Sequence, residues 1–172
     1  MLVSEAAPSP TDGQQLVRPF SRAMIADFLT REKLKFLRDQ DDDCLVTFDS
    51  DESVHLPEIR VWFTAEGKAH DIYSVRAYAS PPPERSVEEW YRICNQYNRE
   101  RRWPKAYMVE GKDALKLRLE SQIDLGAGIH QQLFDDFGRM ALAGIYGFFE
   151  WLNDSADAGP TEDTPDPSST PE

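Results

Sequence analysis

The chain is poor in the residues that build covalent and metal frameworks. It has two cysteines and three histidines in 172 residues. Cys44 and Cys94 lie far apart, as neither a CxxC pair nor the dense array of a disulfide-stapled domain. That usage implies a reducing compartment. His55, His70, His130 and the two cysteines lack the closely paired ligand spacing of structural zinc sites. Long apolar runs are missing as well. The longest, Met140–Phe149, is bounded by Arg139 and Glu150 and is far shorter than the roughly 20 residues a spanning helix needs. Residues 1–15 contain no Lys or Arg, so the basic start of a secretory signal is not there. The expectation is a cytoplasmic protein. No GxSxG, P-loop, GxGxxG or HExxH string occurs. The chain therefore reads as a non-enzyme, with no cofactor and no metal.

An excess of positive charge is also lacking, since the formal net charge is −12. The tails account for most of it. Residues 1–17 carry Glu5 and Asp12 and no base, and residues 153–172 carry six acids and no base. Rich in Pro, Ser, Thr and Asp, both segments have too little apolar surface to fold and are expected to be disordered. Residues 18–152 hold all 19 Lys and Arg and form one mildly acidic domain. A hydrophobic content of 40% is enough for one core.

Within that domain the apolar period changes several times. Met24, Ile25, Phe28 and Leu29 recur at helical spacing behind Ser21, predicting a first helix over 21–32. "LKFLR" (34–38) and "CLVTF" (44–48) flank an acidic turn as one hairpin. "IRVWFTA" (59–65) and "DIYSVRAYA" (71–79) make a second around Gly67, and the prolines at 81–83 close the run. "SVEE" (86–89) is a capping box for a second helix, which must end by Trp103 because Pro104 follows. "AYMVE" (106–110) and "LKLRLESQIDL" (115–125) form a third hairpin. In the latter, Leu115, Leu117, Leu119, Ile123 and Leu125 alternate with charged or amide side chains, as in a sheet buried on one face only. A last helix, 129–152, is apolar nearly all round after Arg139. Gly138, Gly144 and Gly147 within it call for a packing reason, because each costs a helix roughly 1 kcal/mol. The order α-β-β-β-β-α-β-β-α implies an α+β fold, with an antiparallel sheet of five to six strands and helices packed on one face.

The basic stretch "CNQYNRERRWPK" (94–105) ends the second helix. Arg85, Arg92 and Arg99 fall on one line of that helix together with Glu88, Glu89 and Gln96, which describes a mixed, solvated face. Asn95 and Asn98, followed by "RERRWPKAYMV", a turn and a long alternating strand, resemble the YbjN family, bacterial proteins labelled sensory-transduction regulators. The resemblance runs from the first helix through "FGRMALAGIYGFFEWL", over residues 18–152. It implies a fold similar to type III secretion chaperones, frequent dimerisation and no established catalytic residues. The excursion at 49–58 is longer than the family pattern and leaves the strand count between 48 and 72 open.

Two constellations remain. Asp39, Asp41 and Asp43 match the first ligands of a calcium loop, but Cys44 replaces the required Gly and Ser50 the bidentate Glu, so a solvated acidic hairpin is expected. On the sheet, alternation sends Arg60, Trp62, Arg76, Tyr78 and Arg118 to the open face. Such a mix of Arg and aromatics suits a protein interface. The functional expectation is a chaperone-like or regulatory domain, homodimeric, binding a protein or peptide partner through those five residues. The alternatives are a small-ligand sensor or enzyme with a pocket between helix and sheet, or nucleic-acid binding at the Arg-rich end of the second helix. The acidic balance opposes the last.

Overall fold

A computed structural model describes residues 16–52, 56–81, 84–112 and 114–157. The expected tails fall largely outside them, as does His55. The elements are α1 (Arg22–Arg31), β1 (Leu37–Arg38), β2 (Cys44–Phe48), β3 (Ile59–Glu66), β4 (Ile72–Ala79), α2 (Val87–Glu100), β5 (Lys105–Glu110), β6 (Leu115–Asp124) and α3 (Gln131–Asp157). The strands form one antiparallel six-stranded sheet in the order β1-β2-β3-β4-β6-β5. This is the expected α+β architecture, and between 48 and 72, where the strand count was open, the described residues hold one complete strand, β3.

Alternation sets the core. Val61, Phe63, Tyr73, Val75, Leu117 and Leu119 are all buried on one face. Phe28 of α1 meets Phe63, and Phe134 of α3 stacks on Tyr73 with ring centres 4.7 Å apart. Tyr97 of α2 meets Phe148 of α3 at 4.8 Å, so the three helices share one side of the sheet.

The capping box forms as expected. Glu89 N–H donates to Ser86 Oγ, and Ser86 N–H donates to Glu89 Oε2 at 2.6 Å. The Ser86 hydrogen bonds hold the Glu89 carboxyl below its usual range. Its contribution is therefore present above the ordinary carboxyl pKa and lost as pH falls through the lowered one. Ser21, by contrast, occupies the N-cap position of α1 without a side-chain bond.

α3 departs from expectation in two ways. It runs on to Asp157, past the expected end at 152, with Ala141, Ile145, Phe148 and Phe149 buried and Ala143 and Glu150 exposed. Its glycines also differ among themselves. A Cβ on Gly138 would lie 2.6 Å from the Phe28 ring, and one on Gly144 would lie 3.0 Å from Pro104. One on Gly147 would meet nothing within 4 Å, so the packing reason expected for all three holds for two.

The acidic hairpin uses its carboxylates on itself. Asp39 Oδ1 accepts from the Asp41 and Asp43 amides at 2.9 and 3.0 Å, and Asp43 lies 3.5 Å from Arg22 of α1. Among the described residues, no three His, Cys, Asp or Glu side chains gather as a metal centre would require. Nor is any described helix long and apolar enough to cross a membrane.

Candidate functional site

Sheet register brings the five predicted residues together. Arg60 pairs with Tyr78 and Trp62 with Arg76 across β3 and β4. Tyr78 pairs with Arg118 across β4 and β6, and Arg118 with Tyr107 across β5 and β6. All lie on the face away from the helices. Trp62, Arg76, Tyr78 and Arg118 are half-buried and Arg60 is exposed.

Each arginine has a carboxylate beside it. Arg60 Nε donates to Glu58 at 2.9 Å. Arg76 pairs with Glu66 and donates to Thr64 Oγ1 at 3.1 Å. The Arg118 guanidinium lies 5.1 Å from the Tyr78 ring centre, 5.5 Å from that of Tyr107 and 3.5 Å from Glu120. Tyr107 O–H donates to Glu120 at 2.6 Å, and burial, followed by that carboxylate, raises its pKa. The surface is thus aromatic, as alternation described it, but its arginines are charge-compensated. Sequence reasoning missed Glu66, Glu120 and Tyr107 as members. The signal was there for Glu66 and Glu120, since the same alternation puts both on the open face.

Arg60, Trp62 and Tyr78 line a groove of about 410 Å³ together with Pro57, Glu58 and Lys116. Arg76 and Arg118 stand beside it. A lining that mixes aromatic and charged side chains suits a side chain of a bound protein or peptide. The chain's thiols are poor nucleophiles: burial raises the pKa of Cys44, and pushes Cys94 up to about 11.

At the end of α2, Asn98 explains part of the motif around it. Its amide donates to Ala106 O at 2.8 Å and accepts from Ala106 N at 2.9 Å, clasping the backbone of β5. Asn95 is exposed. Asn98→Ala strips both partners from a buried backbone and is expected to cost about 1–2 kcal/mol, read as a lower urea midpoint. An unchanged midpoint would mean water replaces the amide without loss. Beyond the clasp, Arg99, Arg101 and Arg102 are exposed.

No curated protein shows a significant match to this sequence. Several solved structures share the fold, two of them as follows. One is the crystal structure of YbjN, "a putative transcription regulator from E. coli", at 13% identity, with 82% of this chain and 97% of that chain covered and a TM-score of 0.62. The other is a chain of the HopA1–SchA chaperone–effector complex, at 11% identity, with 77% and 90% covered and a TM-score of 0.50. The chaperone-like fold expected from the sequence is the fold observed. The profile of the YbjN family, described as "Putative bacterial sensory transduction regulator", matches residues 21–154. With helices, sheet and clasp in that span, the chain belongs to the YbjN family.

Proposed function

We propose that this chain is a non-enzymatic, chaperone-like or regulatory domain of the cytoplasm. It works as a homodimer and holds a protein or peptide partner on the open face of its sheet. The observation that carries this reading is the groove at Trp62, Tyr78 and Arg60. Its aromatic walls are held by a network in which each neighbouring arginine is already paired, so little ordering entropy remains to be lost on binding. The similarity to a chain from a chaperone–effector complex supports a protein as the ligand class.

Partners captured from native lysate by the wild-type protein would be identified and then re-measured singly against variants. Trp62→Ala is expected to weaken the captured partner by about 30-fold or more, the loss typical of a central Trp anchor. Thermal melting should stay within a few degrees of wild type, because the side chain lies outside the core. Undiminished capture by Trp62→Ala and Tyr78→Ala together would remove this surface from the proposal.

A further inference from the structure

Two surfaces away from the sheet face are complementary to each other. The first is a groove of about 750 Å³ between the end of β2 and the C-terminal half of α3. Phe48, Tyr146 and Phe149 give it aromatic walls, with Phe48 and Tyr146 edge-on at 5.4 Å. Asp49, Glu150 and Asp154 line it too, and among the described residues no Lys, Arg or His does. Among the described residues none of these three acids makes an ion pair.

The second is the corner after α2. Arg101, Arg102 and Trp103 are exposed there, Trp103 by 41%. Neither arginine forms an ion pair among the described residues, unlike Arg60, Arg76 and Arg118 on the sheet. The corner is held in shape. Arg101 N–H donates to Tyr97 O at 2.8 Å, Tyr97 O–H donates to Trp103 O at 3.1 Å, and the indole meets Phe137 edge-on at 6.5 Å. A fixed Trp flanked by arginines loses little freedom on docking, and both residue types dominate binding energy at interfaces.

Charge decides what can fill the groove. Residues 158–172 follow directly on α3 and carry four acids and no base, while residues 1–15 carry two acids and no base. Both segments are repelled by the groove's acids. The basic, aromatic corner has the opposite charge and a ring to match the walls.

We propose that two copies of this chain dock reciprocally, the Arg101–Arg102–Trp103 corner of each entering the groove between β2 and α3 of the other. This rests on the homodimer reading above. Each copy has one corner and one groove, so a two-fold arrangement uses all four surfaces and stops at two. A head-to-tail contact would leave one of each free and would propagate.

The test is mass in solution by sedimentation velocity across the micromolar range. The full-length wild type is expected to be a dimer that weakens with added salt, because the contact pairs opposite charges. Glu150→Lys with Asp154→Lys, and separately Arg101→Glu with Arg102→Glu, should each raise the dimer dissociation constant by about tenfold or more. Mixing the two variants should restore wild-type dimerisation. In the mixed dimer one contact is native and the other has both signs reversed, so both attract. The milder Glu150→Gln with Asp154→Asn should lose less and serves if a reversal perturbs folding. A wild type that stays monomeric overturns the homodimer reading and this interface together. A dimer that neither reversal weakens, or that mixing does not restore, overturns the interface alone. Salt-sensitive retention of a single-stranded oligonucleotide, lost in Arg101→Glu with Arg102→Glu while the mass stays unchanged, would assign the corner to nucleic acid instead.

Discussion

Phe134→Ala lowers the unfolding free energy by about 3–5 kcal/mol, the range for deleting a fully enclosed ring. Phe134 is wholly buried, and three rings surround it: Tyr73 at 4.7 Å, Phe20 at 5.9 Å and Phe28 at 6.2 Å. They come from β4, the segment before α1, and α1. Collapse onto the vacancy would need all three to move together, and Phe28 is also fixed against Phe63 of β3. Against a typical total of about 5–15 kcal/mol, a loss of this size removes roughly a fifth of the stability or more. Urea unfolding should show a much lower midpoint with an unchanged slope. Phe134→Leu, which refills most of the space, should lose far less. A drop under about 1 kcal/mol for the alanine variant would mean that the aromatic cluster is looser than its ring distances imply.

The same chemical change at two glycines of α3 is expected to have opposite signs. Gly138→Ala places a methyl 2.6 to 3.1 Å from three carbons of the Phe28 ring. A ring end can normally swing aside, but this one is packed between Phe63 and Phe134 and has no exposed surface. The helix must back away or the ring must leave its rotamer, for about 2–3 kcal/mol in all, set against the modest helix-propensity gain. Gly147→Ala meets nothing within 4 Å. It keeps only the propensity and unfolded-state terms and should stabilise by about 0.4–1 kcal/mol. Paired melting curves check both. Equal shifts at the two positions would contradict the close approach of α3 to α1.

Those glycines mark what the sequence can and cannot convey. Their spacing announced a helix with small residues, but whether a hydrogen can become a methyl depends on Phe28, over a hundred residues away. Strand faces were legible because their period is local. Leu117, Leu119 and Ser121 alternate with Arg118, Glu120 and Gln122 as the structure has them. The composition of the open face was only half legible. Alternation can put Glu66 on the side of Arg76, but register sets Arg76 opposite Trp62 and Glu66 opposite Ile72, so their ion pair depends on the path of the side chains across the sheet. The capping box was readable because both of its bonds span three residues. The Asn98 clasp was not, since it requires the chain to turn at Trp103 and run back along the helix.

That clasp has a consequence for how a partner can be gripped. A peptide often joins a sheet as an additional strand, bonded through its backbone and largely indifferent to its own sequence. Here both margins resist this. β1 has two residues, and in β5 the outward-facing amide and carbonyl of Ala106 are already taken by Asn98. Alternate bonding leaves only Met108 and Glu110 open along that border. Under the proposed function, a bound peptide would then be recognised chiefly by the shape of its side chains rather than by an added strand.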